Sequence, residues 1–252
     1  MPDWRDGYVA DIDYTYGYYA ELNPSRIALA FLNAGLAPPP CGTACELGFG
    51  QGVSTAIHAA GSVVTWYGTD FNPTQAGFAQ QLAQHAERTG HLVDQSFAEF
   101  CQRDDLPMFD YIALHGIWSW ISEENRAHIV DFLRRQLKVG GVLYLSYNAT
   151  PGWSSFAPIQ HLMRRHGETL SAPGQSTEAI VGEAIYFTDR LLATQPGYAA
   201  QNPLVTQYWQ ALKDKSRSYV AHEYFNHDWL PMYFSEVAQA LAPTKLQFAC
   251  SA

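Results

Sequence analysis

Residues 46–52 read Glu-Leu-Gly-Phe-Gly-Gln-Gly, with glycine at every second position behind an acid. Upstream, Thr43 to Leu47 has the composition of a short buried strand, and downstream Val53 to Ala60 opens a helix. Strand, glycine turn and helix in that order make a cofactor cradle. Glycine tolerates φ > 0 and lets the main chain approach a ligand that a Cβ would repel, while the helix start offers N–H groups with no intrahelical partner. The competing reading is a tight turn that needs small residues and binds nothing.

Spacing separates the two cofactor classes that use such a turn. A dinucleotide fingerprint, G-x-G-x-x-G, would follow Gly48 and Gly50 with a third glycine at position 53, which is Val. The pattern present, E-x-G-x-G-x-G, resembles the first motif of class I S-adenosylmethionine (SAM) dependent methyltransferases. Ser62 to Thr69 reads as a second parallel strand ending on Asp70, where a carboxylate is placed to accept hydrogen bonds from ribose hydroxyls. Phe49 and Phe71, next to these anchors, are taken as cofactor positions with them. Asn72 and Pro73 cap and open a helix expected to reach about Arg88, with Phe78 and Leu82 inward.

A third strand covers His91 to Asp94 and SFAEF follows. Many methyltransferases place an acid here for the adenine amine and a ring-packing residue after it. The matching positions are Ser96 and Phe97, so the acid is missing and Phe97 stays open between ring contact and core. A fourth strand, Phe109 to Leu114, leads into HGIWSW. Ligands of doubly wound sheets sit at the carboxyl ends of strands, which brings His115 and Gly116 to the cofactor, His115 as a contact or a proton acceptor near neutral pH. Trp118 and Trp120 either border the ligand or pack under the next helix. That helix is capped by Ser122 and expected to stop at Gly140 and Gly141. A fifth strand, Val142 to Tyr147, ends on Asn148, which either orients a nucleophile or caps the turn before Pro151.

Strands alternating with helices predict an α/β fold with a doubly wound, mostly parallel sheet. The segments YTYGYYAELNP, CELGFGQG, YGTDFNP, LHGIWSWIS, GGVLYLSYNATPGW and AHEYFNHDWLPMYFSEVAQAL resemble, from Tyr14 to Ala252, the bacterial methyltransferases that carry a methyltransferase regulatory domain, relatives of the rickettsial protein lysine methyltransferases. The resemblance implies a Rossmann-like, seven-stranded-type sheet, SAM as cofactor with S-adenosylhomocysteine as product, and Glu46, Gly48, Gly50, Gly52 and Asp70 as matching cofactor residues. It divides the chain into an N-terminal lid and helix (1–40), a SAM-binding core (41–153), an inserted helical cover (154–218) and the end of the catalytic core (219–252), with the downstream regulatory domain expected to be absent.

Tyrosine dominates the first segment, at Tyr8, Tyr14, Tyr16, Tyr18 and Tyr19, followed by a helix from about Ser25 to Ala34. Rings and phenols suit a lid over a cofactor, Tyr16 and Tyr18 foremost, and equally an arm packed on the surface. Near Pro231 to Leu241 a further helix is expected, then a closing strand over Lys245 to Cys250, with AHEYFNHDW returning toward the sheet. His222 and Glu223, adjacent on that return, would point to opposite faces of a strand, so no metal site is expected.

The 252 residues carry a net charge of −9, 15 Lys and Arg against 24 Asp and Glu, and no basic run. That argues against an electrostatically driven nucleic-acid footprint and favours a basic partner. The four scattered cysteines suit reduced thiols. An acidic start without an apolar run and no stretch of spanning length point to the cytoplasm. The expected activity is SAM-dependent methyl transfer to an amine, protein lysine first, with Tyr16, His115, Tyr147 and Asn148 as groups that position it or take its proton. A small-molecule methyltransferase and a non-catalytic SAM-binding module are the alternatives.

Overall fold

The computed structural model describes residues 7–12, 14–84 and 90–252. Five strands form one sheet: β1 (Thr43–Leu47), β2 (Thr65–Asp70), β3 (His91–Asp94), β4 (Phe109–Leu114) and β5 (Leu137–Leu145). Their order is β3-β2-β1-β4-β5 and every pairing is parallel. Growth from β1 runs through β2 to β3 on one side and through β4 to β5 on the other. The carboxyl ends of β1 and β4 therefore flank a topological switch point, where open α/β sheets hold ligands. Burial follows this position: β1 and β4 are almost wholly buried, whereas no residue of the edge strand β5 is.

Helices α1 (Pro24–Asn33), α2 (Val53–Ala60), α3 (Pro73–Gln84), α4 (Phe97–Cys101) and α5 (Glu123–Gln136) complete this part of the chain. Leu22, Ile27, Trp66 and Tyr111 share one core cluster of the sheet unit. Asn72 begins α3 as expected, its Oδ1 accepting from Thr74 N at 3.0 Å; the expected extension to Arg88 lies outside the described residues. SFAEF is not loop. Ser96 and Glu99 form a reciprocal capping box that starts α4.

Two boundaries of this unit differ from expectation. Helix α5 ends at Gln136 and β5 begins at once, so Gly140 and Gly141 lie inside a strand and do not stop the helix. The register jumps there, Phe109 facing Leu137 and Tyr111 facing Val142, and Gly140 takes φ +80 within that irregularity. A Cβ on Gly141 would sit 2.9 Å from Lys138 O and 3.0 Å from Asp110 O, so close backbone approach requires glycine. The expected closing strand at Lys245 to Cys250 is not formed, and among the described residues the sheet has five strands, not seven. A 3-10 turn (Ala242–Thr244) ends on Lys245 at φ +60, and the chain beyond it is irregular.

The chain divides into two compact units: the sheet unit of Tyr16–Tyr147 with Phe234–Ala252, and a helical unit formed by the chain up to Thr15 with Asn148–Tyr233. The helical unit holds α6 (Ala157–Leu170), α7 (Thr177–Ala193), α8 (Gly197–Gln201), α9 (Pro203–Lys213) and α10 (Arg217–Tyr224). Phe156, Met163, Val181, Trp209, Val220 and Tyr224 centre its core, with Val9, Ile12 and Trp153 packed against them. AHEYFNHDW begins as the last turn of α10 and continues irregularly from Phe225, with no strand returning to the sheet. Its His222 contacts Ile12 O through Nε2 at 3.0 Å, and Asn226 Oδ1 accepts from Val9 N at 3.0 Å. These bonds make residues 219–233 and the early chain part of the helical unit. The chain re-enters the sheet unit with α11 (Phe234–Leu241).

Candidate cofactor site

The glycine turn leaves β1 and enters α2. Gly48, Gly50 and Gly52 all have positive φ, +77, +58 and +66, a region that glycine alone occupies without strain. For two of them the demand for glycine also comes from the protein. A Cβ on Gly48 would lie 2.9 Å from Ile117 Cγ2, and one on Gly52 would lie 2.5 Å from Ala79 Cβ. Gly48 N donates to Thr69 O at 2.8 Å, which ties the turn to β2, and Gly52 N donates to Phe49 O at 2.9 Å. The Phe49 ring is core, clustered with Ala76, Ala79 and Leu92. Helix α2 starts with Gly52 as N-cap, which makes no side-chain cap hydrogen bond, and its first turn follows the carboxyl end of β1 beside the switch point.

Two acids flank this turn, both buried. Glu46 accepts a short hydrogen bond from Thr55 Oγ1 at Oε2. Burial pushes its carboxyl up to about 7 against the Thr55 bond, and Asp70 adds to the rise. Asp70 accepts from Gly50 N through Oδ2 at 2.8 Å and from Asn72 N through Oδ1 at 3.0 Å. Burial raises it to about 6, while those two bonds hold it back. A carboxylate has about four acceptor positions and the backbone takes two, so Asp70 can receive hydroxyl donors while it fixes the turn.

Of the remaining predicted positions, some gather here and some do not. The Phe97 ring is buried with Cζ 3.7 Å from where a Gly48 Cβ would stand, so Phe97 reaches the turn. Ser96 does not offer a free hydroxyl: its Oγ caps Glu99 N at 3.2 Å and donates to Glu99 Oε2 at 2.8 Å. Phe71 follows Asp70 directly and is half-buried. Tyr16 packs edge-on against Phe78 at 5.2 Å and Tyr18 against His58 at 5.3 Å, both rings largely exposed. The segment they belong to is tied to α2, because Tyr19 N donates to Ser54 Oγ at 2.8 Å.

His115 lies after β4 against the Tyr19 ring, 4.4 Å between centroids. Its Nδ1 meets Tyr144 Oη at 3.3 Å and Ser146 Oγ at 3.4 Å, and Ser146 Oγ accepts from Gly116 N at 2.7 Å. Burial lowers the His115 pKa and Glu21 opposes the fall. Trp118 is fully buried and belongs to the core. Asn148 lies in the helical unit, where its Nδ2 donates to Glu223 Oε1 at 3.5 Å. Glu223 is buried and pushed up to about 7 by that burial. Sequence reading missed Thr55, Tyr144 and Ser146. The signal for the last two was present: an i, i+2 pair of hydroxyl side chains at the carboxyl end of an apolar strand points to one face.

The architecture is the Rossmann-like fold of class I methyltransferases. Superposition on PKMT2 from Rickettsia typhi gives a TM-score of 0.75 for its complex with AdoHcy, at 23% identity, covering 94% of this chain and 45% of that one. A second structure of PKMT2 gives 0.76 at 24% identity with the same coverage. Residues 216–252 match the family described as "Predicted methyltransferase regulatory domain". The chain is 43% identical over 254 residues to the protein sll1526 of Synechocystis, covering 99% of this chain and 49% of that protein. It is 26% identical over 208 residues to RP028 of Rickettsia prowazekii, covering 80% of each. The chain thus spans about half the length of the Synechocystis relative and of PKMT2. Among the described residues no helix is long and apolar enough to cross a membrane, and no group of three His, Cys, Asp or Glu side chains is arranged to hold a metal ion.

Proposed function

We propose that this chain is the catalytic part of a SAM-dependent methyltransferase that modifies an amine, protein lysine first, in the cytoplasm. One observation carries the reading: the three left-handed glycines and the buried Asp70 carboxylate converge on the uncapped start of α2 at the switch point of the sheet. Its fit to SAM is specific. Asp70 keeps acceptor positions for ribose hydroxyls, the amides at the start of α2 would meet a carboxylate or nucleoside edge, and Phe97 stands beside Gly48 for a ring contact. The bound cofactor would supply an electrophilic methyl group. The chain's own part is then to hold the cofactor, bring a neutral amine in line and exclude water.

His115, Gly116, Tyr16 and Tyr18 are the further groups of the sheet unit assigned to this site, His115 and Tyr16 with a catalytic role. The AdoHcy complex of the structural neighbour supports the cofactor, and that neighbour's name supports lysine as acceptor. Free cysteines support a reducing compartment, and the excess of acids favours a basic protein acceptor over nucleic acid.

Calorimetric titration with SAM, S-adenosylhomocysteine and NAD tests the cofactor. SAM and its product should bind wild type and not Asp70→Ala, and NAD should bind neither. Binding of NAD alone would overturn the reading. Incubation with labelled SAM and either cell-lysate protein or a metabolite extract then tests the acceptor. Label in lysine of protein is the expected result, and label confined to small molecules would reject lysine.

A further inference from the structure

His115 is assigned above to the cofactor site, and a histidine there serves either as a base or as a donor. Which one depends on the nitrogen that carries the proton. The surroundings of Nδ1 decide it. Ser146 Oγ, Tyr144 Oη and His115 Nδ1 form a triangle: Nδ1 lies 3.3 Å from the phenol and 3.4 Å from the serine oxygen, and the two hydroxyls bond each other. Ser146 Oγ also accepts from Gly116 N at 2.7 Å.

A hydroxyl carries one proton and two lone pairs, and a neutral imidazole has one N–H and one bare nitrogen. If Nδ1 is bare, one hydroxyl donates to it and the other donates to its fellow, so both hydroxyl protons are used. If Nδ1 carries the proton, it donates to one hydroxyl, and only one of the two hydroxyl protons can then stay inside the triangle. The other has no protein acceptor outside the triangle among the described residues and must leave it for water. The Tyr19 ring packs on the imidazole at 4.4 Å and the Tyr144 ring lies nearly parallel to it at 6.1 Å, centroid to centroid. Burial disfavours its charged form, and Glu21 is the charged group acting on it in the opposite sense.

We infer that Ser146 and Tyr144 are positioning residues that hold His115 as the neutral tautomer protonated at Nε2. His115 therefore serves the site as a hydrogen-bond donor to an oxygen acceptor of the ligand, a carboxylate or carbonyl, and is not the base that takes the proton of the amine. The consequence for methyl transfer rests on the methyltransferase reading; the tautomer itself does not.

Long-range nitrogen–proton NMR of the histidine rings in the cofactor-free protein reads the tautomer directly, with His115→Asn to assign the signal. The expected result at pH 7 is a bare Nδ1 and a protonated Nε2, and a ring that stays neutral below the ordinary imidazole value of about 6.5. Loss of both hydroxyls in the Ser146→Ala, Tyr144→Phe variant should let the two tautomers mix. A protonated Nδ1, a charged ring at pH 7, or a wild-type tautomer that survives in the double variant would each overturn the assignment. None of these outcomes depends on SAM affinity, so failure of the cofactor reading is recognised separately by calorimetry.

Discussion

Asp70 in the sheet unit and Glu223 in the helical unit are both buried carboxylates, and they are held in different ways. Asp70 of the sheet unit receives two backbone N–H groups, at 2.8 and 3.0 Å, that the fold itself places. Glu223 of the helical unit receives a side-chain amide at 3.5 Å, from Asn148. Burial raises both, Asp70 to about 6 and Glu223 to about 7. Main-chain donors cannot swing away, so Asp70 is fixed in direction and suited to aim at a ligand. A side-chain donor at long range compensates less, so Glu223 is an acid whose charge state changes near neutrality.

The sharpest way to break the contrast is to remove the frame that holds Asp70. Gly52→Val forces a branched side chain into φ +66 and onto Ala79. Strain and overpacking together should cost about 3–5 kcal/mol in urea unfolding and abolish SAM binding. An effect under about 1 kcal/mol would show that the turn is pliable and that Asp70 is not rigidly aimed. Asp70→Ala comes next. It strands the Gly50 and Asn72 amides at a buried site, for roughly 2–4 kcal/mol in all, read as a fall in Tm alongside the loss of SAM heat.

For Glu223 the test is pH. Its folded pKa, about 7, lies above the ordinary 4.5, so the folded state binds more protons than the unfolded state between those values. Stability contributed by the protonated acid is complete below about pH 4.5 and is lost as pH rises to about 7, by about 3 kcal/mol at most. Glu46 and Asp70 add slopes of the same sign. Glu223→Gln should flatten the stability curve over that window by its own share, and an unchanged slope would mean that Glu223 ionises normally. An exposed carboxylate gives the smallest effect. Exposed Glu99 is pulled down by the Ser96 amide and hydroxyl. Ser96→Ala should cost about 1 kcal/mol and leave SAM affinity unchanged; a several-fold loss of affinity would make Ser96 a cofactor contact after all.

Legibility in the sequence followed the range of the interactions involved. The glycine turn, β1, β3, β4 and the Ser122 cap were readable because strand composition, φ > 0 demands and caps act over a few residues. The end of α5 was misjudged because Gly140 and Gly141 look like a helix stop. What places them in a strand is the register of β5 against β4 and the approach of Asp110 O, which no local pattern encodes. Ser96 was read through a family pattern and is explained by its neighbour Glu99, three residues on. AHEYFNHDW was read as a return to the sheet because its place is set by tertiary partners: Ala221 and Tyr224 pack on the helical core, and His222 and Asn226 bond Ile12 and Val9, more than 200 residues away. The triangle around His115 joins side chains from β5 and the end of β4, and its members carry no motif.

The chain passes from one unit to the other three times, after Thr15, Tyr147 and Tyr233. On a ribosome the first helices and all five strands emerge before any of the helical unit's main body, so the sheet can assemble early. The helical unit must wait. Its seam with residues 7–12 is sealed only when α10 and Asn226 appear, closing loops of 210 and 217 residues. Such closures are entropically unfavourable and slow. Until then residues 7–12 lack the partners that the finished helical unit gives them, a stage of synthesis open to misassembly and to holding chaperones.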